Sequence, residues 1–255
     1  EKVDPDFTPL PECWVDERIV QRRLGDCWDK AWLIGVRAIT NSTNERTIVS
    51  SLFPRSAVGD SVILVTSSEA HDFSLLATTL SSFAADYAAR GKVAGTNLNL
   101  FILKQLPVLP PETFEHRCPW SLEQTVKEWM ISRVVELYLT STSTAIAQAF
   151  VNPGRPYRWC LHRRARLRAE LDGAFFHLYG LTRNEVDFIM DSFAGLQTEE
   201  LKVHGEYRTK RLILEVYDAM QHAIDSGTEY QTILDPRPGE GPRHEVAELS
   251  MGSLR

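Results

Sequence analysis

The run Leu106-Pro107-Val108-Leu109-Pro110-Pro111 splits the chain into two regimes. Three prolines so close together remove backbone donors and fix φ, so neither a helix nor a central strand continues through them. The apolar rhythm differs on the two sides. Before the prolines, residues 31–40 alternate, with Trp32, Ile34, Val36 and Ala38 on one face and Arg37 on the other, which predicts a half-buried strand. Asn41-Ser42-Thr43-Asn44 predicts a turn, 46–53 a returning strand stopped by Pro54, and 62–65 a third strand. From Asp72 to Arg90 the spacing becomes helical through Phe73, Leu76, Leu80, Phe83, Ala84 and Tyr87, with Gly91 as the stop. Residues 97–103 alternate and then run apolar, which predicts a further strand.

After the prolines the pattern is almost wholly helical. Ser121-x-x-Gln124 reads as a capping box ahead of a stripe containing Val126, Trp129, Met130, Val134 and Tyr138. Residues 140–148 read as a weak helix or a linker, and Asn152-Pro153-Gly154 as a turn. A helix over 161–179 is closed by Gly180. Thr182-x-x-Glu185 caps the next, with Val186, Ile189, Met190 and Phe193 inside and Gly195 at its end. The last spans 206–225, and the Pro/Gly-rich end beyond Gly227 reads as loose. The expected fold is α+β (mixed). Its parts are an extended lead-in at 1–19, a small α/β module at 20–113, an all-helical module at 114–226 and a tail at 227–255.

Composition narrows the function classes. A chain of 255 residues, 43% hydrophobic and 24% charged, can bury a core without staples and is not disordered throughout. No apolar run approaches the ~18 residues of a membrane span. The net charge of −6 excludes a uniformly basic nucleic-acid binder but allows a local basic face. Cys13, Cys27, Cys118 and Cys160 form no C-x-x-C pair, which predicts buried or inert thiols in a reducing cytoplasm.

Charge concentrates in three places. Between Leu137 and Ala169 there is no Asp or Glu, yet Arg155, Arg158, Arg163, Arg164, Arg166, Arg168 and His162 occur there, interleaved with Tyr157 and Trp159. That mixture suits phosphate contact with stacking on a base or sugar. The alternative is a solvated or interface face paired with Glu170, Asp172 and acids elsewhere. Tyr207-Arg208-Thr209-Lys210-Arg211 opens a helix, where cations oppose the dipole unless an anionic partner or Glu206 compensates. Arg37, Asn41, Asn44, Arg46, Thr47 and Arg55 surround a strand-turn-strand, and Arg90, Lys92, Thr96 and Asn97 a glycine-rich loop. Arginine and asparagine are the side chains that read base edges.

Catalytic patterns are weak. There is no G-x-S-x-G, no Walker loop, and no H-x-x-x-H or H-E-x-x-H spacing, so no catalytic, cofactor-binding or metal residue is assigned. Residues 234–241, L-D-P-R-P-G-E-G, superficially resemble a D-P-x-x-G-x-G turn for S-adenosylmethionine, but no Rossmann-like sheet follows. Glu200-x-Lys202 matches half of a metal-dependent nuclease pair.

Several segments carry a family resemblance in consistent order: 75–98 (LLATTLSSFAADYAARGKVAGTNL), 101–111 (FILKQLPVLPP), 37–40 with 43–47, 169–181 (AELDGAFFHLYGL) and 205–211 (GEYRTKR). Together they resemble the C-terminal part of large bacterial N6-adenine-specific DNA methyltransferases. That family includes fused type II restriction–modification enzymes and phage-defence methyltransferases. The sequence departs at Thr79 and Asn97, where the family more often has Asn and His. The resemblance implies a target-recognition module at 20–113 followed by a helical module that holds the DNA backbone. Arg37, Asn44, Arg46, Arg55, Arg90, Lys92, Thr96 and Asn97 would approach DNA in the first. Arg158, Arg163, Arg164, Arg208, Lys210 and Arg211 would hold phosphates in the second. The family's methyl transfer uses an N-P-P-[YF] loop and a glycine-rich cofactor turn, neither present here. Because residue 1 is Glu1 rather than Met, those parts are expected upstream or on a separate chain. S-adenosylmethionine then belongs to the parent enzyme, which would flip an adenine and methylate its N6. The implied partners are double-stranded DNA and the methyltransferase catalytic domain. Two other readings stand beside this one: a protein-interaction module of a defence complex, and a nuclease using Glu200 and Lys202.

Overall fold

The computed structural model describes residues 3–11, 13–66, 73–151 and 153–245, the side chains at 26 and 73 excepted. Asp72, Asn152, the side chain of Phe73 and the tail beyond 245, on which some of the readings above fall, lie outside the described residues. The fold is α+β.

A three-stranded antiparallel sheet has the order β2-β1-β3, with β1 at Trp32–Arg37, β2 at Ser50–Pro54 and β3 at Val62–Val65. Ile34 sits opposite Leu52 on one side and Val65 on the other. The half-buried reading of β1 needs correction. Leu33 and Ile34 point to opposite faces and are equally buried, so both faces of the strand are packed over. Gly35 is required there, because a Cβ would come within 2.6 Å of the Phe53 ring and 2.7 Å of Val62. β2 is shorter than expected because the backbone N–H groups of Thr47 and Ile48 leave the ladder and donate to the Asp86 carboxylate, at 3.0 and 3.3 Å.

The helix expected over 72–90 is two helices, α2 (Phe73–Leu80) and α3 (Phe83–Arg90). Ser82 separates them, its hydroxyl accepting from Ala85 N at 3.2 Å. The strand expected at 97–103 is absent. Asn97 makes a single bridge with Ile39, and Asn99 then accepts from Ile102 N at 2.9 Å, capping a helical turn, α4 (Leu100–Leu103). Local Asx capping wins over apolar alternation.

The second half contains α5 (Glu112–Glu115), α6 (Val126–Tyr138), α7 (Thr144–Ala147), α8 (Leu161–Leu178), α9 (Arg183–Asp191), α10 (Ala194–His204) and α11 (Arg208–Ser226). A shorter α1 (Glu17–Leu24) precedes the sheet. The capping box of α9 is Thr182 with Glu185, as read. That of α6 is Thr125 with Glu128, not Ser121 with Gln124, because the Ser121 hydroxyl donates to Glu229 at 2.8 Å. Gly195 does not end α9. It stands in the first turn of α10, a helix the sequence reading missed, where a Cβ would meet the Thr43 carbonyl oxygen at 3.0 Å.

The main core joins Trp32, Leu33 and Ile34 to Trp120, Met130, Phe175, Phe176, Val216 and Tyr217, so it runs through the expected boundary at 113/114. A smaller core gathers Val36, Ile48, Leu80, Ala89, Leu98 and Leu106. The end of the chain is not loose as far as residue 245. It forms a strap: Tyr230 N donates to Trp120 O at 3.0 Å, Arg158 N to Pro242 O at 2.8 Å, and His244 N to Pro156 O at 3.0 Å. Its own Tyr230 and Leu234 are buried. Of the cysteines only Cys118 is buried, and burial pushes its thiol up to about 12; Cys13, Cys27 and Cys160 are exposed.

Candidate nucleic-acid interface

Several cations expected on a DNA face are instead bound to carboxylates. Asp86, fully buried on α3, receives Arg46 and Arg90, each at 3.2 Å. Arg46 also lies 3.9 Å over the Phe83 ring. Arg90 donates to the carbonyls of Ser42 and Glu45, at 2.8 and 2.9 Å, and lies 4.0 Å over Phe193. Asn44 serves its own turn, its backbone N–H donating to Asn41 Oδ1 at 2.9 Å and its side-chain Nδ2 to Thr40 Oγ1 at 3.4 Å. Arg163 forks onto Glu136 and donates to Pro236 O at 2.8 Å. Lys210 pairs with Asp191 at 2.6 Å and Asp187 at 3.0 Å. Arg211 meets both Glu206 and Glu215 at 2.9 Å, and hydrogen bonds to these two carboxylates push its pKa up. The expectation of one free cationic surface through these residues is corrected: acids distant in sequence, or one helical turn away, neutralise them. The groove beside Arg183, Lys210 and Arg211 offers no free charge either, since Arg183 pairs with Asp218 at 2.9 Å.

Other predicted residues remain outward. Beyond β1 the chain runs antiparallel to the segment before α4, with Thr40 N on Thr96 O at 2.9 Å and Leu98 N on Ala38 O at 2.7 Å. Ile39 therefore faces Asn97. Side chains alternate along extended backbone, so Arg37 and Ile39 share a side, as do Asn97 and Asn99. All four are exposed, while Leu98 between Asn97 and Asn99 is buried and Ala38 between Arg37 and Ile39 half-buried. Arg37 has no ion pair among the described residues. Thr96 is exposed beside this face, and Lys92 reaches Gln105 at 3.5 Å. Arg55 is half-buried, its backbone N–H on Ala31 O at 2.7 Å. Sequence reasoning does not single out Ile39, Asn99, Leu100 or Phe101, which are exposed, because an apolar run at 97–103 reads as strand.

A second outward set lies on the first half of α8. Arg166 and Arg168 are exposed without an ion pair among the described residues. Arg164 donates to Leu137 O at 2.8 Å and stacks 3.7 Å over Trp159; burial and the neighbouring Arg168 pull its pKa down to about 10. Arg208 from α11 approaches His162 Nδ1 at 3.2 Å. Arg158 is exposed and stands 3.8 Å from Glu245. Burial pulls the pKa of Arg168 down although Asp172 favours its charged form, and Glu245 stands near Arg158; the remaining cations of this face are receptive to anions.

The catalytic look-alikes are taken up by the framework. Glu200 accepts from Thr209 N and Oγ1, at 2.8 and 2.5 Å, at the start of α11, while Lys202 pairs with Glu199 at 3.7 Å. This carboxylate thus serves the start of α11. In the 234–241 turn, Gly239 N donates to Glu136 at 3.1 Å and its carbonyl accepts from Tyr157 at 2.6 Å, so the turn is not open to a cofactor. Among the described residues no group of three or more His, Cys, Asp or Glu could hold a metal ion, and no helix is long and apolar enough to cross a membrane. No protein-family model matches the chain, and no curated protein or solved structure matches it significantly.

Proposed function

We propose that the chain is the DNA target-recognition segment of a site-specific N6-adenine DNA methyltransferase from a cytoplasmic restriction–modification or phage-defence system. Its methyltransferase catalytic domain, which binds S-adenosylmethionine, acts in cis or as a separate chain. The observation that carries this reading is the outward face of Arg37, Ile39 and Asn97, aligned by one β-bridge. An arginine fork reads guanine, an amide reads adenine, and an apolar side chain meets the thymine methyl. Arg158, Arg166, Arg168 and Arg208 hold phosphates and set the register. The ordered resemblance to the methyltransferase family supports the same reading.

The test is selection from a random duplex pool, followed by anisotropy titrations of the selected duplex over a range of salt. The chain is used alone and beside the methyltransferase domain. Log affinity is expected to fall linearly with log salt. Arg37→Ala should cost about 1–3 kcal/mol on the selected site and relax its sequence preference. Arg166→Ala should weaken binding to all sequences alike and reduce the salt slope by about 1. No enrichment and no duplex binding in either form would overturn the reading.

One observation favours a protein partner as a second reading. α1 buries none of its residues, and Leu10, Trp14, Val15 and Ile19 around it are 88, 80, 48 and 41% exposed. If that surface seats the catalytic chain, Trp14→Glu abolishes co-purification of the two chains and leaves duplex affinity unchanged.

A further inference from the structure

We infer that Leu100 and Phe101 form an apolar wedge that enters between base pairs of a bound duplex, unstacks one step and bends the DNA. The inference rests on the DNA-binding reading above. Phe101 is 74% exposed and Leu100 52%. Single exposed apolar side chains are ordinary on a protein surface. These two are distinguished by how they are held. Leu98, two residues before Leu100, is fully buried, and the Asn99 side chain caps the turn through Ile102 N. Ile102 and Leu103 pack against the smaller core, and Leu106 lies within it. A helical turn anchored on that side directs residues 100 and 101 outward. Ile39, 60% exposed and bridged to Asn97, extends the apolar surface toward the Arg37 face.

Charge selects the occupant. Residues 91–111 contain Lys92 and Lys104 and no Asp or Glu; residues 31–44 contain Arg37 and no Asp or Glu. An apolar tip on segments that carry cations and amides and no acid fits a polymer with an anionic exterior and an apolar stacked interior, which describes a duplex. Apolar side chains inserted at a base step offset the unstacking cost by bringing more of a bent duplex onto the protein.

The experiment uses the chain alone, so that base flipping by a catalytic domain adds nothing. The selected duplex carries a fluorophore pair at its ends and, in a second series, 2-aminopurine at successive positions. Binding is expected to raise end-to-end energy transfer and to brighten 2-aminopurine at one step. Phe101→Ala should abolish both changes and weaken binding about tenfold or more, with the salt slope unchanged. Phe101→Trp should retain them. The side chain is exposed, so the melting temperature of both variants should equal that of the parent. Parent protein that binds with linear salt dependence but leaves the duplex straight and stacked overturns the wedge alone. So does a Phe101→Ala variant that bends DNA like the parent, or one that loses only its association with the catalytic chain. A chain that binds no duplex overturns the wedge, and if duplex is also ignored beside the catalytic domain, the DNA reading fails with it.

Discussion

Asp172 sits on α8 and accepts a hydrogen bond from Phe83 N at 2.8 Å, tying α8 to the start of α3. Burial pushes its carboxyl up to about 6, although Arg46, Arg168 and the bond from Phe83 all favour the charged form; buried Asp86 opposes them. Because the native value lies above the unfolded one, the native state binds more protons between the two. The contribution of Asp172 to stability therefore falls as pH rises from about 4 to about 6 and levels off above that. Asp172→Asn removes this slope. The variant should exceed the parent in stability at pH 7.5, by roughly 3 kcal/mol at most, and converge with it below pH 4. Urea unfolding across that range measures the difference, and a gap independent of pH would contradict the assignment. The sequence showed that arginines outnumber acids locally, but it did not show which of them are spent. Arg46 and Arg90 converge on Asp86 from opposite sides in sequence, and Arg163 finds Glu136 27 residues away. The Arg90–Asp86 pair lies one helical turn apart and is legible locally, but the Arg46 and Arg163 pairings have no local signature.

The division of α2 from α3 depends on Ser82. Its hydroxyl accepts from Ala85 N and donates to Thr79 O at 2.7 Å, serving the end of one helix and the start of the next. Ser82→Ala should cost about 1 kcal/mol, read as a lower urea midpoint with unchanged slope. The apolar stripe spans both helices without a break, so periodicity alone joined them. Capping patterns were legible where one window fitted, as at Thr182 and Glu185. Where two overlapped, Ser121-x-x-Gln124 and Thr125-x-x-Glu128, the choice fell to Glu229, which sits 108 residues beyond Ser121 and takes up its hydroxyl. At Asn99 the error had the opposite cause. A single amide cap turned an alternating run into α4, and that turn now presents the apolar tip.

The strap and the shared core decide how the molecule behaves as a whole. Glu170 on α8 is fully buried, bonded to Arg133 at 2.6 Å and also to Tyr230, Thr232 and Ile233 N of the strap. Glu136 takes Arg163 and Gly239 N in the same way. Deleting 228–255 strips several hydrogen bonds from buried charged groups. At about 1.5–3 kcal/mol each, the loss should reach about 5 kcal/mol or more, measured as a lowered urea midpoint. Because the main core runs from β1 to α11, the intact chain should also melt in one calorimetric transition. Two transitions split near residue 113 would show that the modules fold independently.

From residue order alone followed the change of rhythm at the prolines, the identity of most helices, the capping of α9 and the acid-free stretches. Each depends on neighbours within about one helical turn or one strand pair, and such neighbours are written in the chain. Tertiary structure alone determined which cations keep their charge for an outside partner, and that the final segment is a strap. Neutralising a guanidinium or satisfying a buried carboxylate requires contact within a few ångströms, and only the folded chain brings residues so far apart in sequence that close.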